Sequence, residues 1–127
     1  MIKLLLIFAL SVLATRLEDC TSLTTGKEPS YHEEVANSKC LTDALLKANA
    51  SDKLLTIEST VSMMPISVSG LVNLTIRVDG YVLASQRFLE WPTNSKTKNG
   101  GKARYLDFWA FNDCDGLTVE GSGTIDG

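Results

Sequence analysis

The amino-acid sequence predicts an all-β fold in which short strands wind as a solenoid. Beyond residue 53, apolar residues alternate with polar ones, and Gly or Pro residues separate the alternating stretches. Two stretches are alike, beginning at Asn73-Leu74-Thr75-Ile76 and at Gly116-Leu117-Thr118-Val119, and Leu117 follows Leu74 by 43 residues. Such a spacing is expected where the same side of a solenoid recurs every one or two turns. Two unrelated edge strands of an ordinary sandwich are the alternative.

The first 14 residues predict a secretory signal peptide. Lys3 precedes an apolar run from Leu4 to Leu10, and small residues follow, so that cleavage after Ala14 fits the pattern. The run is far shorter than the ~20 apolar residues that span a bilayer. We therefore expect a secreted, extracellular protein without a membrane anchor once the signal is removed. A buried N-terminal strand or helix is the alternative.

The composition is that of one modest globular domain, since 44% of the 127 residues are hydrophobic and 21% are charged. The formal net charge is -3. Neutralising phosphates requires an excess of Lys and Arg on the binding face, so a generic nucleic-acid binder is excluded. We expect a monomer.

Residues 15–38 are polar, lack a sustained period and contain turn-forming residues, and they predict an extended N-terminal arm. His32 lies in this arm without a second histidine, so we interpret it as a solvated residue and expect no metal site. A short amphipathic helix follows, because apolar residues recur at i, i+3, i+4 and i+7. These residues are Leu41, Ala44, Leu45 and Ala48. Residues 39–127 then form the solenoid with this helix at its start.

Secretion would expose the three cysteines to an oxidising compartment in which thiols pair. Cys20 and Cys40 are the local candidates for a disulfide, which leaves Cys114 as a small apolar core residue or as the partner of a cysteine in further sequence. Asn49 and Asn73 each begin an Asn-Xaa-Ser/Thr triplet and are candidates for N-glycosylation.

A polar segment from Ser85 to Arg104 predicts a loop excursion between the two similar strands. The segment contains five basic residues and a single acidic residue, Glu90, so it is strongly positive within an acidic chain. This patch could contact a polyanion such as a uronic-acid polymer by electrostatic steering, and a loop kept soluble by its charges is the alternative. The basic residues are Arg87, Lys96, Lys98, Lys102 and Arg104.

Asp113 and Asp115 invite comparison with a catalytic pair of acids. In a strand they would lie on one face about 7 Å apart. Asn112 before them and Gly116 after them are turn residues, however, so the sequence favours a turn. We interpret Asp126 in the same way, as a corner residue.

The last seven residues, Gly121-Ser122-Gly123-Thr124-Ile125-Asp126-Gly127, resemble the G-x-G-x-I-D-G element of glycoside hydrolase family 28. This family contains the polygalacturonases and the rhamnogalacturonases. The order of elements is also similar, with a helix over Cys40–Ala48, a Pro65-Ile66 step and a strand that leads into Asp79-Gly80. The similarity extends from about Lys39 to Gly127. Upstream, the chain has Ala36–Cys40 where the family has a Gly-rich segment with an aspartate.

The resemblance implies a right-handed parallel β-helix of the pectin-lyase type, with a helix that caps its first coils. Inward aliphatic ladders would contain Leu74, Ile76, Leu117, Val119 and Ile125. The outward-facing residues would be Thr75, Arg77, Thr118 and Glu120.

The resemblance also implies hydrolysis of pectin-type polysaccharide with inversion, which needs a general acid and a general base roughly 6.5 to 9.5 Å apart. The family carries them in Asn-Thr-Asp, Asp-Asp, Gly-His-Gly and Arg-Ile-Lys elements, none of which occurs here. We therefore assign no catalytic residue and no cofactor, and expect an inactive N-terminal fragment of the enzyme.

Two other functions stay open. One is a non-catalytic secreted β-helix module that binds polysaccharide through Trp91, Tyr105, Trp109 and the basic loop. The other is a Ca²⁺-dependent pectate lyase, which the sequence disfavours because it shows no acidic cluster.

Overall fold

A computed structural model describes residues 14–20, 29–94 and 104–127. This part of the chain consists mostly of strands in parallel sheets, together with one α-helix. The predicted signal peptide lies outside the described residues except for Ala14. None of the helices in the described part is long and apolar enough to cross a membrane.

The α-helix, α1 (Tyr31–Ala50), begins much earlier than the sequence predicted. Ser30 is its N-cap, and the Ser30 hydroxyl accepts a hydrogen bond from the Glu33 backbone N–H at 3.2 Å. The predicted apolar face is confirmed, since Leu41, Ala44, Leu45 and Ala48 are all buried. The same face continues toward the N-terminus as Glu34, Asn37 and Ser38, which are also buried.

The prediction of an extended arm as far as residue 38 was therefore wrong at its C-terminal end, where the chain is helical. The described start of the arm contains strand β1 (Thr15–Arg16) and a short 3-10 helix, Leu17–Asp19.

A disulfide joins Cys20 to Cys40 in α1, as the sequence predicted, with 5.7 Å between the two Cα atoms. It holds the segment after β1 against the helix, and Leu17 is completely buried there.

After α1, eight of the strands form three layers. The first layer contains β2 (Leu54–Ile57), β3 (Thr60–Met63) and β4 (Ile66–Ser69). The second contains β5 (Thr75–Val78), β6 (Tyr81–Ala84) and β9 (Trp109–Asn112), and the third contains β10 (Thr118–Glu120) and β11 (Thr124–Asp126). Between β6 and β9 lie a short 3-10 helix, Phe88–Glu90, and the antiparallel pair β7 (Thr93–Asn94) and β8 (Arg104–Tyr105).

Equivalent strands of successive layers pair in parallel and in register. Leu55 is opposite Ile76, which is opposite Val119, and Val61 is opposite Val82, which is opposite Ile125. The interval is 21 residues for the pairs β2–β5 and β3–β6 and 43 residues for the pairs β4–β9, β5–β10 and β6–β11. The predicted excursion between β6 and β9 accounts for the difference. The 43-residue spacing between Leu74 and Leu117 therefore corresponds to a single layer that contains the inserted excursion.

The apolar residues of the strands form the core beneath α1. Leu74 and Ile76 are completely buried, as the sequence predicted. Leu117 is only half-buried. Val119 and Ile125 lie in register on the buried Ile76 and Val82 and so continue the ladders, but they are 48% and 39% exposed. Their strands β10 and β11 have a neighbour on one side only among the described residues, and the other side is open to water.

The predicted outward residues lie on the opposite side of these strands. Arg77, Thr118 and Glu120 are exposed, and Thr75 is half-buried. Arg77 and Glu120 are direct neighbours in the register and form an ion pair at 3.6 Å. Because both side chains are about half exposed, this pair contributes at most ~1 kcal/mol.

Close contact between layers explains two glycines of the terminal motif. A Cβ atom on Gly121 would overlap the Val78 carbonyl oxygen, and one on Gly123 would overlap the Gly80 carbonyl oxygen. At this corner the Gly123 N–H donates to the Val78 carbonyl at 2.8 Å, and the Thr124 N–H donates to the Gly80 carbonyl at 3.0 Å. The layers can therefore approach this closely only where side chains are absent.

Candidate functional site

A polar cleft of about 790 Å³ opens between the first turns of α1 and the ends of β3, β6 and β11. Strands of all three layers end at this position, because they pair in register. The polar residues that line the cleft are Glu34, Ser62, Ser85, Gln86, Arg87 and Asp126. Such a concave site with several converging polar groups is the default place to look for a ligand.

Glu34 is the centre of a hydrogen-bond network in the wall of this cleft. Its carboxylate is nearly inaccessible and accepts hydrogen bonds from the Ser62 hydroxyl at 2.6 Å and from the Ser85 hydroxyl at 3.0 Å. The Arg87 Nε–H donates to the same carboxylate at 2.9 Å. Because both carboxylate oxygens are engaged, Glu34 fixes the helix to the strands and is not free to protonate a substrate.

An aromatic groove of about 290 Å³ continues from the polar cleft and shares Ala84, Ser85, Phe88 and Gly127 with it. Its other lining residues are Trp91, Tyr105, Leu106 and Phe108. The Trp91 indole N–H donates to the Leu106 carbonyl at 3.0 Å, which fixes the ring beside β8. Phe88 is 69% exposed and Tyr105 is 59% exposed. The groove therefore offers aromatic faces next to hydroxyl, amide and charged groups.

Two of the three aromatic residues predicted for a glycan-binding surface line this groove, Trp91 and Tyr105. Trp109 does not. It is half-buried in β9 and packs against the core, with its ring 6.1 Å from Phe108 and 6.0 Å from Phe111. Its indole nitrogen is buried and has no hydrogen-bond partner among the described residues.

The predicted basic patch is only partly described. Lys96, Lys98 and Lys102 lie outside the described residues, and Arg104 is exposed in β8. Arg87, one of the predicted contacts for a polyanion, is engaged within the protein. Its guanidinium is paired with Glu34, and its Nη2 donates to the Pro29 carbonyl at 2.9 Å. Arg87 therefore fixes the start of the excursion.

Three aspartates were considered above as possible catalytic acids, and the structure places each of them in a turn or a strand. Asp113 is exposed with a positive φ of 52°, and Asp115 bridges to Val72 just before Gly116, so the predicted turn is confirmed. Asp126 lies in β11 opposite Leu83, so the prediction of a corner residue was wrong. It is exposed at the edge of the polar cleft. The described residues contain no group of His, Cys, Asp or Glu side chains that could hold a metal ion.

The remaining candidates are spread over the surface. His32 is exposed on α1, which agrees with its interpretation as a solvated residue. Cys114 has a free thiol and is half-buried against the core. Asn49 lies in the last turn of α1, and Asn73 lies in the turn before β5.

Sequence reasoning missed Glu34 and two further carboxylates that hold corners. Glu18 Oε1 accepts from the backbone N–H groups of Glu58 and Ser59 at 2.6 and 2.9 Å. Asp79 Oδ1 accepts from the Ser122 N–H at 3.0 Å, at the equivalent corner between the second and third layers. The sequence did hold a signal for Glu34, because Ser30 followed three residues later by Glu33 is a capping-box pattern that places the helix start before it.

Comparisons with protein-family models, with curated proteins and with solved structures found no match for this chain.

Proposed function

We propose that this chain forms the first coils of a right-handed parallel β-helix in a secreted, polygalacturonase-like glycoside hydrolase. One observation carries the proposal. The segment that resembles the family element, Gly121–Gly127, lies in register on the layer before it, and its first two glycines are required by the close approach of the backbones. A G-x-G-x-I-D-G sequence therefore has a physical role in stacking layers here, which supports the resemblance.

In this proposal the chain supplies scaffold and not chemistry. Inverting hydrolysis needs one carboxylic acid near the leaving oxygen and one carboxylate that activates water from the opposite face. Both oxygens of the Glu34 carboxylate accept hydrogen bonds from Ser62, Ser85 or Arg87, and Asp113 and Asp115 lie at a turn. The substrate would be a pectin-type polysaccharide, and its cleavage would depend on the carboxylates of the whole enzyme.

The test has two parts. The transcript is read beyond the codon for Gly127, where the proposal expects an open frame that encodes an Asn-Thr-Asp element and a Gly-His-Gly. The encoded protein is then incubated with polygalacturonate, and the release of reducing ends is measured beside the 127-residue chain. We expect release by the encoded protein and none by the chain. A stop codon after Gly127, or an encoded protein without hydrolase activity, would reject the proposal.

A second candidate is polysaccharide binding by the chain itself, which the aromatic groove favours. Exposed Phe88 and Tyr105 rings next to polar groups form a surface suited to sugar rings with apolar faces and hydroxyl rims. Binding of oligogalacturonate is measured by the change in tryptophan fluorescence, to which Trp91 contributes. We expect Tyr105→Ala to weaken binding at least tenfold. Tyr81→Ala is the matched control, because Tyr81 is exposed on β6 but does not line the groove.

A further inference from the structure

The two Asn-Xaa-Ser/Thr triplets have very different surroundings. Asn49-Ala50-Ser51 spans the end of α1, and Asn73-Leu74-Thr75 spans the turn into β5. Only an asparagine whose carboxamide nitrogen can carry a sugar without breaking the fold is compatible with a glycan in the native protein. The hydrogen bonds of each triplet therefore discriminate between the two sites.

The Asn49 side chain closes the turn between β4 and β5. Its carboxamide oxygen accepts a hydrogen bond from the Val72 backbone N–H at 2.9 Å, and its nitrogen donates to the Gly70 carbonyl at 3.5 Å. Lys53 Nζ donates to the same oxygen at 3.4 Å. The third residue of the triplet is engaged as well, because the Ser51 hydroxyl donates to the Lys47 carbonyl at 2.8 Å. A glycan on Asn49 would enter the crevice between the helix end and this turn.

Asn73 has the opposite environment. It is exposed and has a φ of 51°, a left-handed conformation that asparagine tolerates better than most residues. Its backbone N–H donates to the Asp115 carbonyl at 2.8 Å, so the turn is fixed by the main chain. Within the described part of the chain, no hydrogen bond engages its carboxamide or the Thr75 hydroxyl.

Gly116, one layer further along, leaves room for the Asn73 side chain. A Cβ atom on Gly116 would overlap the Asn73 carboxamide oxygen. Gly116 itself has a φ of 69°, so both residues form left-handed corners that lie on top of one another. A substituent on Asn73 would start at this exposed corner, outside the paired strands β5 and β10.

We propose that Asn73 carries an N-linked glycan in the native protein, and that Asn49 is an unmodified residue that holds the β4–β5 turn against α1. This inference rests on the proposed secretion of the chain, because the transfer of N-glycans to such triplets takes place in the secretory pathway.

The test uses the full chain, expressed in eukaryotic cells either with its own first 14 residues or behind an established secretory leader. A C-terminal tag with a known glycosylated triplet reports entry into the pathway. Failure of the chain's own leader would reject secretion, while the established leader still tests the glycan. Occupancy is read from the mobility shift on enzymatic removal of N-glycans and from peptide mass spectrometry of folded, secreted protein.

Two variants remove one triplet each and leave the asparagine in place. Thr75→Ala is expected to abolish the glycan on the chain, and Ser51→Ala is expected to leave occupancy unchanged. Asn49→Gln is expected to keep the glycan and to lower the midpoint of thermal unfolding. A glycan on Asn49 in the folded protein, or an unmodified Asn73 in protein whose tag is glycosylated, would overturn the proposal.

Discussion

Replacing Glu34 by Gln tests whether the buried carboxylate holds α1 to the strands. The variant is nearly isosteric and keeps one acceptor oxygen, but it removes the charge that faces the Arg87 guanidinium at 2.9 Å. Breaking a fully buried ion pair by changing one partner costs about 3–5 kcal/mol. The Arg87 side chain is 35% exposed and can be hydrated instead, and the hydroxyls of Ser62 and Ser85 can reorient. We therefore expect a loss of about 1–2 kcal/mol in the free energy of unfolding.

The assay is urea unfolding followed by tryptophan fluorescence, with the slope of the transition used to check that the unfolded state is unchanged. Glu33→Gln is the matched control, since it makes the same chemical change one residue earlier, where the described structure shows no hydrogen bond to the side chain. We expect the control to lose less than about 0.5 kcal/mol. A double-mutant cycle with Arg87→Gln should give a coupling of about 1 kcal/mol. Equal losses in the two single variants, or no coupling, would refute the assigned role.

Three further predictions concern the layers and the disulfide. Ile76 is completely buried in the middle layer, so Ile76→Ala should cost about 2–5 kcal/mol in urea unfolding. Val119 is in register with Ile76 but half exposed, so Val119→Ala should cost less than about 1 kcal/mol, and similar losses in the two variants would contradict the described layering. Gly123→Ala should lower stability by about 1–3 kcal/mol because its Cβ would overlap the backbone of the preceding layer, and an unchanged urea midpoint would count against that contact. Replacing both Cys20 and Cys40 by Ala should lower stability by about 2–4 kcal/mol, and reducing agent should lower the stability of the unchanged chain by a similar amount; an unchanged urea midpoint in both measurements would contradict the described disulfide.

The start of α1 could not be predicted from hydrophobic periodicity, because its first buried turns are polar. Glu34, Asn37 and Ser38 occupy the positions that Leu41 and Leu45 occupy further along. Each has a specific partner in the strands, since the Asn37 amide donates to the Ser62 carbonyl at 2.9 Å and the Ser38 hydroxyl donates to the Met64 carbonyl at 2.7 Å. A polar inner face is stable only when such partners exist, and a sequence does not show them.

The repeat was visible in the sequence, but its meaning was not. Leu74 and Leu117 showed the correct interval of 43 residues, yet the first interval, from Leu55 to Ile76, is 21 residues and passed unnoticed. The excursion obscured the shorter repeat because it adds its residues to each interval that spans it, namely β4–β9, β5–β10 and β6–β11. Strand β3 was also missed, since its corner with β2 contains only Glu58 and Ser59, and the backbone hydrogen bonds to Glu18 replace the usual Gly or Pro signal.

The described carboxylates also explain why acidic residues alone did not identify a site. Glu18 and Asp79 accept hydrogen bonds at equivalent corners of different layers, Glu34 binds Arg87, and Asp52 accepts from the Thr15 hydroxyl at 2.8 Å. Each of these acids satisfies hydrogen-bond donors that tight corners and a polar helix face would otherwise leave unpaired. An acid that stabilises a fold in this way is a poor candidate for proton transfer, because its donors would have to be released first. The proposed hydrolase function therefore depends on the stacking of the terminal motif and not on any pair of acids in this chain.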